Sequence, residues 1–499
     1  MRISNLKRLL PLGCALYLGT TMSSLKAPPN KLAQAEEQFQ PQELKADLEY
    51  LFDTIEAIHP NPYAFSKKAT IVQERTRLAS NLTHPMSRLE FYRLVAPLVS
   101  GLRDEHTVLA PPREEYRRHA RAGLLFPVRP IIWENRIFVR TNYSDDVNLS
   151  PGTEILRING LSSRQLLDKL CLFAVGRNRE SQLAMVETVF HVMLWVGQGY
   201  ESPFHISLRR DGKILNESVV GIPETIIHDK EKAAQALDDN VPYGFRLLED
   251  GKTGLLEVRG FGGGKGTESF LEQTFSDIKK AGVRALIADL RENDGGLVAI
   301  SDVLLSYLAT KSVVQLSRVE FKVSVQSQRL LEGQSGIENL APFDRETYSA
   351  QLSGQPGQVI TFKGNIIRPS HLAFGGKLYV LIGRRTCSAA SLLAASVKDQ
   401  RLGVLVGEET GGAGTQYGDP FPFELPRTKL TGIVAHTLLV RASGKDLGQG
   451  VTPDYEVPVT PADIIASRDP VLERVLGMIR SGKRQENLIH LDSRPKTGH

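Results

Sequence analysis

Apolar residues near the start of the chain recur at helical spacing. Leu44, Leu48, Leu51, Phe52, Ile55 and Ile58 share one face of a 3.6-residue period, which predicts a helix stopped by His59-Pro60-Asn61-Pro62. A second helix is predicted from Arg88 to Leu102, with Leu89, Tyr92, Val95, Leu98, Val99 and Leu102 on its face and a kink at Pro97. From about 122 to 222 the pattern changes to short apolar runs, Leu125–Ile132, Arg136–Arg140, Glu154–Ile158 and His205–Leu208. Turn signals at Ser150-Pro151-Gly152, Asn159-Gly160 and Asp211-Gly212 separate them, so this stretch reads as β, with one helical patch from Glu180 to Leu194. From about 242 strands and helices alternate. Gly254–Val258, Ala285–Leu290, Leu378–Ile382 and Gly403–Val406 read as strands, and Ser269–Lys280, Leu297–Leu308 and Ser388–Lys398 as helices. That rhythm predicts βαβ units and a mainly parallel sheet.

The pattern divides the chain into a front segment 1–35, a helical domain 36–111, a β domain 122–222, an α/β core 242–470 and a polar tail 481–499. Residues about 315–372 break the core's rhythm and read as an insertion. At 499 residues, the length fits about three domains.

Charge changes the picture only at the front. The 61 basic residues exceed the 56 acidic ones by five. Residues 1–35 carry Arg2, Lys7, Arg8, Lys26 and Lys31 and no acid, so the remainder is balanced. A balanced body argues against nucleic acid as partner. The front combines a basic start, an apolar stretch from Leu9 to Met22 and a small-residue site at Ala33-Gln34-Ala35. It reads as an export signal, leaving the mature chain periplasmic or extracellular. No later run approaches the roughly 18 apolar residues of a membrane span. Cys14, Cys171 and Cys387 form no disulfide framework, and the 11 scattered histidines form no metal motif. No cofactor or metal is expected, and the oligomeric state is open.

Five short stretches could carry chemistry. Thr386-Cys387-Ser388-Ala389-Ala390 follows a buried strand and opens a helix. Ser388 there is either an N-cap or a nucleophile beside free backbone N–H groups. Asp289-Leu290-Arg291-Glu292-Asn293-Asp294-Gly295-Gly296 is either a plain strand–helix turn or a Gly-lined oxyanion site. His106, within Arg103-Asp104-Glu105-His106-Thr107, is either a surface histidine or a general base. Gly450-Val451-Thr452-Pro453-Asp454 reads as a turn into a strand, and Gly152-Thr153-Glu154-Ile155-Leu156-Arg157-Ile158-Asn159-Gly160 as a turn, strand and hairpin.

Taken in their order along the chain, and with Gly407-Glu408-Glu409-Thr410-Gly411-Gly412 added, the motifs resemble those of the tail-specific (C-terminal-processing) and tricorn-core serine peptidases. The resemblance runs from about Leu44 to Val459. It implies an α/β multidomain protein with a crotonase- or Clp-protease-like α/β spiral core, a helical N-terminal segment and a PDZ-like β module carrying Gly152–Gly160. It makes Ser388 the nucleophile and the backbone N–H groups of Ala389 and of Gly295 or Gly296 the oxyanion hole. Ala413 stands where one branch has its catalytic lysine, whereas His106 matches the base of the histidine-using, tricorn-like and retinoid-binding-protein-like branch. That branch orients its histidine through a serine and a glutamate. Here Glu105 precedes the histidine and Leu447 occupies the glutamate's place, so either Asp446 or Glu105 could substitute, and Asp446 is taken as the third catalytic residue. The function implied is an exported serine endopeptidase acting on unfolded or tail-exposed polypeptides. The alternative is a non-catalytic relative that binds an apolar ligand or peptide.

Overall fold

The computed structural model describes residues 36–234, 242–262, 266–332, 342–445 and 449–481. The proposed export signal, Asp446 and all but the first residue of the polar tail lie outside the described residues.

The N-terminal unit comprises α1 (Pro41–Ile58), α2 (Lys68–Asn81), α3 (Arg88–Ser100), the short strand β1 (Val108–Leu109) and α4 (Arg113–Arg121). At the start of α1 the Gln40 N–H donates to Glu43, and Ser87 and Glu90 cap α3 reciprocally, satisfying helix-end donors that would otherwise lack partners. Pro97 lies within α3, in its last turn.

An antiparallel sheet follows, in the order β2 (Val128–Trp133), β3 (Arg136–Asn142), β4 (Glu154–Ile158), β5 (Phe204–Arg210), β6 (Lys213–Val219). Three helices, α5 (Ser163–Leu170), α6 (Arg179–Thr188) and α7 (Phe190–Gln198), fill the interval between β4 and β5. The N-terminal helices and this sheet share one apolar core, in which Phe52, Phe91, Tyr116, Phe126, Phe190 and Phe204 are all fully buried.

The C-terminal half is built on a second sheet in the order β7 (Tyr243–Leu247), β8 (Thr253–Val258), β9 (Ala285–Asp289), β12 (Lys377–Ile382), β13 (Val404–Gly407), β16 (Tyr455–Glu456), parallel from β8 onward. Helices α8 (Thr267–Ala281), α9 (Val298–Leu308) and α10 (Ala389–Asp399) cover the face bearing Leu256, Leu286 and Val380. Helix α11 (Pro470–Arg480) covers the opposite face, bearing Leu255, Ile287 and Leu381. Coverage on both faces is why these strands read as unbroken apolar runs.

A third, antiparallel sheet contains β11 (Val359–Lys363), β10 (Leu316–Lys322), β15 (Thr431–Arg441) and β14 (Gln416–Glu424), in that order. The segment about 315–372 therefore supplies two of its four principal strands. Strand β1 joins it through the pairs Val108↔Ile433 and Leu109↔Gly432. Asp47 of α1, fully buried, accepts from the Arg427 and Thr428 N–H groups and the Thr428 hydroxyl at the β14–β15 turn (2.9, 2.7 and 2.6 Å). A buried carboxylate with three donors on one turn is a specific anchor. Together these contacts fasten the N-terminal unit to the core, and His106 stands two residues before β1.

Candidate active site

Strand β12 ends at Ile382, and the chain turns through 383–388 before α10 begins at Ala389. Ser388 occupies the helix-start position with φ +52° and ψ −126°, and its side chain makes no capping bond to α10. It is therefore not a capping serine. Its hydroxyl lies 3.1 Å from His106 Nε2 instead, across 282 residues of sequence. Positive-φ strain at a non-glycine residue costs about 1–3 kcal/mol and is kept where surrounding contacts enforce it. Thr386, fully buried, donates its hydroxyl to the Leu290 carbonyl and accepts the Gly383 N–H (2.8 and 3.0 Å). The Cys387 N–H donates to the Asn293 carbonyl and the Ser391 hydroxyl to the Thr386 carbonyl (3.0 and 2.9 Å). Gly412 packs against the turn so closely that a Cβ there would stand 2.8 Å from the Ser388 nitrogen. The glycine doublet at 411–412 thus serves close backbone approach.

The candidate oxyanion donors separate in the structure. The Ala389 N–H is the first of α10, where a helix has no internal acceptor. The Gly295 N–H donates to Asn293 Oδ1 at 2.9 Å, which corrects the expectation that it faces an oxyanion. The cause is local: an Asn side chain readily bonds the backbone two residues on. Bonds from Phe261 N–H to the Gly295 carbonyl and from Leu297 N–H to the Phe261 carbonyl flank Gly296 without using its N–H. Ala389 and Gly296 remain as candidates.

His106 is buried, with only 3% of its surface exposed. Its pKa is lowered chiefly by burial. Arg177 lowers it further, while Asp104, the Tyr417 backbone and Asp419 oppose the shift. A neutral ring at neutral pH can accept the serine proton at Nε2. Nδ1 has no side-chain partner among the described residues. Glu105 lines the same pocket, and burial pushes its carboxyl up to about 7 against the opposing pull of Arg177. These directions predict that kcat/KM stays level at neutral pH and falls on the acid side only below histidine's ordinary pKa of about 6.5. The pH–rate profile checks this. An acid limb near 7 that disappears in Glu105→Gln would make Glu105 the titrating group instead.

The pocket in front of Ser388 is walled by Val175, Ala184, Met185 and Val189, contributed by α6 and its flanks. A larger polar cavity of about 710 Å³ shares Asp294, Arg384 and Arg385 with it. There Glu292 accepts from Arg385 and Arg129 at 2.7 and 2.8 Å, with Arg140 at 3.5 Å. Burial would raise the Glu292 carboxyl, but the three guanidinium groups hold it well below the usual carboxylate range. Among the described residues no group of three or more His, Cys, Asp or Glu side chains is placed to hold a metal ion. Sequence reasoning missed the α6 wall, the Asn293 bond to Gly295, and His59, whose Nε2 lies 3.0 Å from Asp104.

The profile of peptidase family S41 matches residues 252–457. The chloroplastic C-terminal processing peptidase of Tetradesmus obliquus is 28% identical over 150 residues, 30% of this chain, and the match spans 24% of that protein's length. Among solved structures, mature CPAF complexed with lactacystin superposes with a TM-score of 0.65 at 17% identity, covering 89% of this chain and 99% of that one. Mature CPAF gives 0.64 at 18% identity, covering 88% and 96%. At these identities the structural likeness speaks to the fold. The sequence likeness to peptidase family S41 is thus confined to residues 252–457, and the likeness in fold extends over most of the chain.

Proposed function

We propose that the chain is a serine endopeptidase that hydrolyses polypeptides through an acyl-enzyme on Ser388. The observation that carries this reading is the 3.1 Å approach of His106 Nε2 to the Ser388 hydroxyl, at a strained turn with the Ala389 N–H beside it. His106 takes the hydroxyl proton as Oγ attacks the scissile carbonyl. Ala389 and Gly296 N–H groups receive the oxyanion, and His106 returns the proton to the leaving amine. A non-catalytic binder would have no need of this pair.

The same reading extends to finer features. The sheet β2–β6 is read as the PDZ-like module and the C-terminal half as a crotonase- or Clp-like spiral. The two cavities, which share Asp294, Arg384 and Arg385 in their walls, are read as the seat of an extended, unfolded or tail-exposed chain. The mature protein is placed outside the cytoplasm on the strength of Arg2, Lys7, Arg8, the apolar stretch and Ala33-Gln34-Ala35. Among the described residues no helix is long and apolar enough to cross a membrane.

Incubation with an unfolded protein and a mixed peptide pool, read by mass spectrometry, tests the proposal. Fragments are expected from the parent chain and from neither Ser388→Ala nor His106→Ala. Fragments that persist in Ser388→Ala would refute it. The apolar pocket also sets an expected pattern: cut sites carry an apolar side chain next to the scissile bond. Met185→Asp is expected to raise KM for such substrates by about tenfold or more, since one pocket group discriminates by about 1–3 kcal/mol. Cut sites indifferent to side chain would contradict that placement.

A further inference from the structure

The described residues provide no side-chain partner for His106 Nδ1, yet a buried ion lies directly beneath the histidine's own turn. Asp104 is 4% exposed. Its Oδ1 accepts the His106 N–H at 3.3 Å, and its Oδ2 accepts the Thr107 hydroxyl at 2.5 Å and faces His59 Nε2 at 3.0 Å. His59 is 1% exposed, and its Nδ1 accepts the Asn61 N–H at 3.0 Å. That bond assigns the ring proton to Nε2, so His59 donates to Asp104. Thr107 in turn accepts the Ala435 N–H of β15 at 3.3 Å. The His59 ring lies 4.5 Å from the Tyr417 ring, and the Tyr417 backbone acts on His106. The His59-Pro60-Asn61-Pro62 stretch that ends α1 is therefore built into the floor under the base.

We infer that His59 and Asp104 are positioning residues for His106: they fix the 104–107 turn and place a permanent negative charge under the ring, doing from the backbone side what a carboxylate on Nδ1 does elsewhere. The inference rests on the peptidase reading of the site. Burial alone would raise the Asp104 carboxyl, but His59, His106 and Thr107 outweigh it and hold it at about 2, so the charge persists throughout the working range. Around His106 the other charged or titratable groups among the described residues are Arg177, Asp419 and Glu105, with Asp294, Arg384, Arg385 and Cys387 on the pocket wall. As His106 gains its proton during catalysis, the Asp104 charge stabilises the imidazolium. Removing it must lower the His106 pKa.

The test uses the full chain carrying 13C at histidine Cε1, with the His106 signal identified by its loss in His106→Gln. Asp104→Asn is expected to move the His106 titration to lower pH by about one unit or more. The acid limb of kcat/KM should move the same way, with kcat reduced about 10- to 100-fold and KM within about threefold. His59→Gln, which keeps a donor for Asp104, should retain most of kcat, and His59→Leu should not. This pair decides the matter if Asp104→Asn does not fold. An unmoved His106 titration in Asp104→Asn, equal loss in His59→Gln and His59→Leu, or a shift produced by Asp446→Asn instead would overturn the inference. Failure of the peptidase reading appears separately, as absence of Ser388-dependent cleavage by the unaltered chain, because the titration is read without turnover.

Discussion

Ser388→Ala is expected to lower kcat by about 10⁴- to 10⁶-fold while leaving the fold intact. The effect is large because only the hydroxyl is removed and, on the proposed mechanism, its oxygen forms the acyl bond. What survives is the slower catalysis that binding and oxyanion donors alone can give. Stability should change little or rise. The side chain makes no capping bond, so its loss frees no helix-end donor. Alanine inherits the positive φ without relieving it. Thermal melts together with burst and steady-state kinetics on an ester or peptide substrate check both halves. A variant that keeps more than about a hundredth of parental kcat would place the nucleophile elsewhere.

The second large effect is expected at a residue with no reactive group. Gly295 has φ +108°, and a Cβ there would stand 2.5 Å from Ser388 Cβ, 3.0 Å from the Cys387 carbonyl oxygen and 3.1 Å from the Ala389 nitrogen. None of these is the free end of a flexible side chain, so the backbone has to move. Gly295→Ala therefore pushes the nucleophile and an oxyanion donor at once. A displacement of about 1 Å in reacting geometry costs on the order of 100-fold, and kcat/KM is expected to fall by at least that. Strain of about 1–3 kcal/mol should lower the melting temperature yet leave a folded protein, because domains carry about 5–15 kcal/mol. Gly375→Ala is the matched control, since nothing lies within 4 Å of its added Cβ. Equal kinetics in the two variants would mean that the 295 turn does not bear on Ser388.

The core was legible where burial writes itself into the sequence. The strands at 285–289 and 377–382 are covered on both faces, and their apolar runs announce this. Elsewhere the signal is absent for physical reasons. Helix α2 buries a single residue, Ile71, so it has no apolar stripe to find. Strand β14 carries Pro420 and Pro422, which argue against a strand, and it tolerates them because it lies at the sheet's edge. Strand β15 is buried without interruption from Gly432 to Thr437, which erases the alternation expected of a half-exposed strand.

The site shows the same division. No local spacing can pair His106 with a serine 282 residues away. Only the order of the motifs, read as a family resemblance, brought the two together. The bond from Gly295 to Asn293 could have been read from the Asn-Asp-Gly run, a familiar Asx-turn signal. His59 gave no such notice: a histidine before a proline at a helix end carries no mark of the aspartate 45 residues on.

On the proposed mechanism His106 activates Ser388 as a nucleophile. Covalent phosphonylation by a fluorophosphonate tests it most directly, because the adduct forms at the attacking oxygen and requires no knowledge of the substrate. One adduct is expected, on Ser388 within the tryptic peptide 386–398, forming at least about 100-fold more slowly in His106→Gln. No adduct, an adduct on another residue, or labelling undiminished in His106→Gln would contradict it.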